Sequence, residues 1–413
     1  MPIVLAASVE NASILLSLFI MLAAAKVMAE IFERLKQPAV VGEILAGVII
    51  GPSLLGWVAP SEMISILAEI GVIFLLFTVG LETKPQAIFQ VGRRAVTVGV
   101  LGVVLPFVAG YFIAMWWDGS FVEAMFIGAA MVATSVGITA RVLGSMGLLD
   151  TETSRVILGA AVIDDILGLI ILSLVSAVSE GSVSYSGLAK TAAAAILFTV
   201  FVGLVGSRIM NGLAPHFERL RLGKPVFTIG LVLCLGLSVA SIYVGVAAII
   251  GAFLAGMALA EATEDNHKMH QLTSGVTEFM VPFFLVNIGM QLNLLVFKDT
   301  SVITLAVIVT VAAVITKFFA CGLGAWGMSR REMAQIGIGM VPRGEVGIVV
   351  AQIGLGLGVI TAPFFASVLF MAVATTLIAP PFIKILYAED KDNDGVQDTI
   401  VETDVSEDFT RLG

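Results

Sequence analysis

Apolar residues follow one another in long blocks along this chain and do not form amphipathic stripes. Many blocks reach the roughly 20 residues that a helix needs to cross about 30 Å of hydrocarbon. A membrane barrel would instead show alternating strands of about ten residues. The pattern therefore predicts an all-α polytopic membrane protein with thirteen transmembrane helices. The predicted spans are 14–33, 39–58, 63–81, 95–117, 121–142, 154–178, 186–211, 225–243, 245–262, 272–291, 301–327, 332–357 and 363–386.

The composition supports this class. Of 413 residues, 58% are hydrophobic and only 13% are charged, whereas a soluble domain carries about a quarter charged residues. The first apolar block lacks a basic segment before it and a small-residue cleavage site, so we interpret it as a span and not as a signal peptide. Cys234 and Cys321 lie inside apolar blocks, which indicates packing and not a disulfide.

Basic residues predict the orientation, because short cytoplasmic loops are enriched in Lys and Arg. The loops after odd-numbered spans hold most of them, whereas the alternate loops hold only Lys298. The basic loop residues are Arg34, Lys36, Lys84, Arg93, Arg94, Arg141, Arg155, Arg208, Arg219, Arg221, Lys224, Lys268, Arg330 and Arg331. We expect the N-terminus outside and the C-terminus in the cytoplasm.

Five ionisable residues lie deep in predicted spans, where each costs about 2.5–3.5 kcal/mol or more and is a functional candidate by default. Asp164 and Asp165 are adjacent in "AAVIDDILGLIILSLV", residues 160–175. Lys317 lies in the eleventh span, and Arg343 and Glu345 lie in the twelfth. The last two fit either a structural pair within an interrupted helix or a part of the site.

The two aspartates point about 100° apart on a helix, so they do not easily share one partner. Lys317 is the natural partner of one of them, because the pair avoids an isolated buried charge. The other carboxylate can face a cavity and hold a proton or a metal cation, but not both at once. This competition is the minimal chemistry of proton–cation exchange.

The fifth and twelfth spans contain the polar stretches "ATSVGIT" and "GMVPRGEVG". Glycine weakens a helix and proline breaks it, so both spans should be interrupted at mid-depth. The two spans are seven apart and cross the membrane in opposite directions, which is the signature of an inverted-topology repeat with an ion site at the midplane. Thr134 and Ser135 would offer oxygen ligands to Na⁺ there, although small polar residues also serve helix packing.

Four stretches resemble the monovalent cation:proton antiporter-2 family, most closely its NapA-type bacterial Na⁺/H⁺ antiporters. They are "ATSVGITARVLGSMGLLDTETSRVILGAAVIDDILGLII", "VPFFLVNIGMQL", "ITKFFACGLGAW" and "GMVPRGEVGIVVAQIGL". The resemblance covers residues 13–387 and implies an NhaA/NapA-like antiporter fold: thirteen helices, inverted repeats and two broken crossing helices. It also implies a homodimer in the bilayer of the bacterial inner membrane.

The resemblance further implies a division of the chain. A dimerisation domain would comprise residues 1–94 and 225–298, and a transport core residues 95–180 and 299–387. Residues 181–224 would form a linker helix, and residues 388–413 an acidic cytoplasmic tail. Transport would follow an elevator mechanism, in which the core slides against the dimerisation domain.

By the same resemblance, Asp165 is the carboxylate that binds the cation and the proton, and Asp164 pairs with Lys317. This set of residues resembles the electrogenic type of exchanger. The expected function is exchange of Na⁺ or Li⁺ for H⁺ in pH and sodium homeostasis, with no enzymatic activity, no cofactor and no nucleic-acid partner. K⁺/H⁺ exchange by the same family stays open, and a cation channel is less favoured because no filter motif is present.

The acidic tail contains "DKDNDGVQD". Asp390, Asp392 and Asp394 fit the first, third and fifth positions of an EF-hand loop, but Val401 stands where the loop needs glutamate. The stretch is interpreted either as a disordered acidic tail or as a weak Ca²⁺ site.

Overall fold

The computed structural model describes residues 2–83, 91–179, 185–217, 224–263, 266–292 and 299–393. All regular structure in these ranges is helical. The helices are α1 (Pro2–Arg34), α2 (Ala39–Ile50), α3 (Glu62–Leu81), α4 (Gly92–Trp116), α5 (Phe121–Ala130), α6 (Val136–Ser145), α7 (Glu152–Ser179), α8 (Tyr185–Phe201), α9 (Ser207–Phe217), α10 (Pro225–Val244), α11 (Ala248–Ala260), α12 (His267–Met290), α13 (Thr300–Gly324), α14 (Arg330–Gly339), α15 (Glu345–Gly356) and α16 (Ala362–Asn393). A π-helical turn, Val202–Gly206, joins α8 to α9.

Within the described ranges, nine helices are long and apolar enough to cross a membrane. Each lies in a different one of the thirteen predicted segments. The remaining four segments contain shorter apolar helices, namely Ala39–Ile50, Phe121–Ala130, Ala248–Ala260 and Val346–Gly356. The chain is therefore a polytopic helical membrane protein, and the count of thirteen spans stays a prediction.

Several predicted boundaries differ from the observed helix ends, and the second and last segments are examples. The second segment was expected to be helical over 39–58, but α2 ends at Ile50. Gly51 adopts extended backbone there because the proline ring of Pro52 disfavours helical geometry in the residue before it. The last helix was expected to end at residue 386, but α16 continues to Asn393.

The helices pack as two groups. The first bundle consists of α1, α2, α3, α10, α11 and α12, and the second of α4, α5, α6, α7, α13, α14, α15 and α16. Helix α8 lies between them, since it packs against α7 on one side and α10 on the other. The two bundles touch directly where α6 meets α2 and α3, and where α16 meets α2.

Glycines bring the helices of the first bundle into backbone contact. A Cβ on Gly47 of α2 would overlap the carbonyl oxygen of Val286 on α12, and one on Gly289 of α12 would overlap that of Ile44. Small residues at both positions let the two backbones approach this closely. The crossing of α2 and α12 therefore excludes any side chain at either glycine.

The crossing of α3 and α11 repeats this arrangement. A Cβ on Gly80 would overlap the carbonyl oxygen of Phe253, and one on Gly256 would overlap that of Phe77. Each of these four residues lies 209 positions from its counterpart in the first crossing: Ile44 and Phe253, Gly47 and Gly256, Phe77 and Val286, Gly80 and Gly289. The matching stretches "GEILAG" (42–47) and "GAFLAG" (251–256) show the same spacing. The first bundle thus contains an internal repeat in both sequence and contacts.

Candidate functional site

The site lies where two interrupted helices meet in the second bundle. Residues 131–135 separate α5 from α6, and residues 340–344 separate α14 from α15. The backbone N–H of Ser135 donates to the carbonyl oxygen of Pro342 at 2.8 Å. Gly344 lies so close that a Cβ on it would be 2.7 Å from the hydroxyl oxygen of Ser135. The two interruptions therefore support each other.

Two buried cations bind carbonyl groups of the first interruption, just beyond the end of α5. A buried carbonyl outside a helix needs another hydrogen-bond donor. The guanidinium of Arg343 donates to the carbonyl oxygens of Val132 at 2.7 Å and Ala133 at 3.2 Å. The ammonium of Lys317 donates to the same Val132 oxygen at 2.9 Å. One backbone carbonyl at the interruption is thus shared by both cations.

Lys317 forms an ion pair with Asp164, and both side chains are fully buried. The Lys317 ammonium is 2.8 Å from Asp164 Oδ1 and 2.8 Å from the carbonyl oxygen of Gly102. Together with Val132, these acceptors match the three protons that an ammonium can donate. The Gly102 oxygen is available because residue 106, its usual helical donor, is Pro106 and has no N–H.

Asp165 points away from this pair, toward the first bundle. Its side chain is 7% exposed and lines a tight cavity of about 10 Å³, close to the minimum that holds one water. The cavity wall includes Leu76 of α3 and Ile249 and Phe253 of α11. The two adjacent carboxylates therefore lie in different environments. Asp164 lies inside the second bundle, and Asp165 lies at the boundary between the bundles.

The predicted oxygen ligands lie in the first interruption. Thr134 and Ser135 are both buried. Among the described residues, no hydrogen-bond partner reaches the Thr134 hydroxyl, and a buried hydroxyl without a partner is costly unless another ligand uses it. This orphaned oxygen is of the type that a hard cation accepts as a ligand.

The predicted pairing of Arg343 with Glu345 stays a prediction. Glu345 begins α15, but its side chain lies outside the described part of the structure. The described hydrogen bonds of the Arg343 guanidinium go to backbone carbonyls, and its backbone N–H donates to the Thr375 hydroxyl on α16 at 3.1 Å. Through these bonds and one to the carbonyl oxygen of Ala313, Arg343 connects the second interruption to α16 and α13.

The calcium hypothesis for the tail also stays a prediction. The backbone of α16 continues through Asp390 and Asp392 to Asn393. The side chains of these two aspartates, and all of Asp394, lie outside the described residues.

The backbone acceptors of Lys317 were not identified from the sequence. Carbonyl groups occur at every position, so no residue type marks them. One signal was present for Gly102, because Pro106 stands four residues later inside a helix and leaves the Gly102 oxygen without its donor. A proline inside a predicted span therefore marks a carbonyl that can bind a buried cation.

Comparison with known proteins gives consistent results. Residues 16–389 match the family described as "Sodium/hydrogen exchanger, transmembrane". The Na(+)/H(+)-K(+) antiporter GerN of Bacillus cereus is 33% identical over 376 residues, which cover 90% of this chain and 96% of that relative. The high-affinity Na(+)/H(+) antiporter NhaS3 of Synechocystis is also 33% identical, over 91% of this chain and 90% of its own length. The sodium proton antiporter MjNhaP1 of Methanocaldococcus jannaschii shares the fold, with a TM-score of 0.64 at 18% identity over 91% of this chain and 97% of that structure.

Proposed function

Since this chain belongs to the sodium/hydrogen exchanger family, we propose that it exchanges Na⁺ or Li⁺ for H⁺ across the bacterial inner membrane. The exchange serves pH and sodium homeostasis. One observation carries the proposal: Asp165 lines a cavity between the two bundles, directly beside the buried pair of Asp164 and Lys317. The two relatives that are 33% identical support it, because both are named as Na⁺/H⁺ antiporters.

In this proposal, Asp165 holds either a proton or a cation. Thr134 and Ser135 supply further oxygen atoms, the ligand type that hard cations prefer. Asp164 and Lys317 form the ion pair of the cation-free state, and a change in this pair couples a further charge to each cycle. Exchange is therefore electrogenic.

The proposed architecture has thirteen spans in two inverted repeats, with the N-terminus outside and the C-terminus in the cytoplasm. The spacing of 209 residues between equivalent glycine crossings supports the repeat. The two interrupted segments are then broken helices that cross at the middle of the membrane. The first bundle is the dimerisation domain of a homodimer, and the second is a transport core that moves past it as an elevator.

Exchange of K⁺ for H⁺ is the second candidate. The relative from Bacillus cereus is named as an antiporter of both Na⁺ and K⁺, so its similarity favours a site that accepts more than one monovalent cation. Ion selectivity in such sites depends on cavity size and on the number of ligands. Titration of exchange with Na⁺, Li⁺ and K⁺ ranks the three ions.

The test uses purified protein in proteoliposomes that hold a pH gradient. Addition of Na⁺ should dissipate the gradient, and Asp165→Asn protein, prepared in the same way, should not respond. Electrical current measured together with cation flux determines the charge moved per cation. Antiport would be disproved if the wild-type protein did not respond to Na⁺, Li⁺ or K⁺ at any pH from about 6 to 9, a range that extends to both sides of neutrality.

A further inference from the structure

A second and much larger cavity, of about 690 Å³, lies between the bundles on the side of the loops 51–61 and 245–247. We call this side the cavity face. The cavity wall begins at Pro60, in the loop before α3, and continues inward to Val72. Because Val72 is ten residues inside α3, the cavity is roughly 15 Å deep at 1.5 Å per residue.

Three helices each contribute one stripe to the wall, with the spacing of three and four residues that places side chains on one helix face. From α3 and α12 come Ser65, Ala68, Glu69, Val72, Phe284, Asn287, Ile288 and Gln291, and from α15 come Val346, Ile348, Val349 and Gln352. Every stripe carries a polar side chain. Glu69 is the only charged residue among the described residues of the wall.

The floor of the cavity is apolar and thin. Ile249 belongs both to this wall and to the wall of the Asp165 cavity. Val72 and Phe284 pack against Gly137, where an added Cβ would lie 3.1 Å and 3.7 Å from them. A single layer of apolar side chains therefore separates the large cavity from the Asp165 cavity.

We propose that Glu69 is a cation-recruiting site in this cavity, the first station of a monovalent cation that moves toward Asp165. The inference rests on the proposed exchange function and adds the entry route. Glu69 lies about 10 Å along α3 from its first residue, and an ionisable residue within a membrane-spanning helix is a functional candidate by default. A charge inside a low-dielectric cleft concentrates counter-ions, and the amide oxygens of Asn287, Gln291 and Gln352 complete a polar wall for a hydrated ion.

The internal repeat assigns a counterpart on the other face. Glu69 and Glu278 are 209 positions apart, as are Ser65 and Ser274. Glu278 lies on α12, and its carboxylate is 3.4 Å from the ammonium of Lys26. In this structure one carboxylate lines a cavity, whereas its counterpart is 71% exposed and pairs with a lysine at the surface. Glu278 is the recruiting residue of the opposite face.

The test compares Glu69→Gln with Glu62→Gln. Glu62 lies in the first turn of the same helix and is not part of the cavity wall, so it is a matched control. In sealed vesicles of known orientation, Na⁺ is supplied from the cavity face, which is identified by a membrane-impermeant thiol reagent on Trp57→Cys. Glu69→Gln should raise the apparent KM for Na⁺ by up to roughly tenfold, which is the low end of the effect of a charged cleft.

The effect on kcat should be smaller than that on KM, and Glu69→Asp should restore most of the KM because it keeps the carboxylate. The difference between Glu69→Gln and wild type should shrink when an impermeant salt raises the ionic strength, since salt screens the charge. Glu278→Gln should show the KM effect only when Na⁺ is supplied from the opposite face.

The outcomes separate the two proposals. If wild-type protein exchanges cations but Glu69→Gln has the KM of Glu62→Gln, the recruiting role of Glu69 is wrong and the exchange function stands. If wild-type protein shows no exchange with any cation, the proposed function itself fails. If Glu278→Gln changes the KM equally from both faces, the assignment of one carboxylate to each face is wrong.

Discussion

Replacing Lys317 with methionine tests the centre of the site. Methionine keeps most of the length of the side chain but removes its charge and its three donors. Asp164 would then be a buried carboxylate without its cation, and the carbonyl oxygen of Gly102 would lose its donor. The Val132 oxygen would keep the hydrogen bond from Arg343.

The magnitude follows from these contacts. Removing one partner of a buried ion pair costs about 3–5 kcal/mol, and an unsatisfied buried carbonyl adds about 1 kcal/mol or more. We therefore expect Lys317→Met to lower the free energy of unfolding by about 4 kcal/mol, the low end of the combined range. At roughly 2 °C per kcal/mol for a long chain, the melting temperature falls by about 8 °C.

The assay is thermal unfolding of detergent-purified protein, followed by current and flux measurements in proteoliposomes. Lys190→Met is the matched control, because Lys190 is exposed and a surface substitution changes stability by less than about 0.5 kcal/mol. The double variant Asp164→Asn/Lys317→Met removes the uncompensated charge and should recover most of the lost stability. Charge moved per Na⁺ should fall in both variants that lack Lys317.

Three results would refute parts of this reasoning. An Lys317→Met protein as stable as the Lys190→Met control would show that the buried pair does not hold α7 to α13. An unchanged current per Na⁺ would remove Lys317 from the coupling, even if stability falls as expected. A double variant less stable than Lys317→Met alone would show that Asp164 is stabilised by something other than the lysine.

Three further substitutions test the surrounding site. Asp165→Asn should abolish exchange and leave thermal stability close to that of wild type, since the cavity that Asp165 lines keeps its shape; retained Na⁺-dependent proton flux would reassign the carrier. Thr134→Val should raise the KM for Na⁺ in flux measurements without loss of stability, because the Thr134 hydroxyl has no hydrogen-bond partner among the described residues; an unchanged KM would exclude it as a ligand. Gly344→Ala should lower stability by about 1–3 kcal/mol, the cost of overpacking, because its Cβ would lie 2.7 Å from Ser135. Gly356→Ala, at the other end of α15, is the control because its Cβ meets no atom within 4 Å. Equal melting temperatures for the two variants would contradict the tight contact at Gly344.

Local sequence signals located most of the helices. Long apolar blocks marked the helices, and glycine and proline marked residues 131–135 and 340–344, where the helices stop. The signal failed in the second segment because hydropathy averages over residues and does not register the Gly51–Pro52 step that ends α2. This single backbone restriction ended the helix although the next six residues, 53–58, are all apolar or small.

The site was only partly predictable, because its contacts are distant in the sequence. The need to neutralise a buried carboxylate indicated Lys317 as a partner for one aspartate, but not which one. The three-dimensional packing of α7 against α4 and α5 decides this, since it directs Asp164 inward and Asp165 toward the first bundle. The carbonyl partners of Arg343 have no sequence signature at all. The internal repeat, in contrast, was visible in "GEILAG" and "GAFLAG", and its meaning became clear only from the equivalent helix crossings.

The internal repeat includes the glycine crossings but not the two adjacent aspartates. The glycine crossings occur twice, 209 residues apart, but the counterparts of Asp164 and Asp165 fall near residues 373–376, which read Val-Ala-Thr-Thr. The two aspartates therefore have no acidic counterpart in the second half of the chain, which contributes Lys317 and Arg343 to the site instead. In a saturation mutagenesis screen, tolerance at positions 42–80 should correlate with tolerance at positions 251–289, while the carboxylates should have no equally sensitive twin.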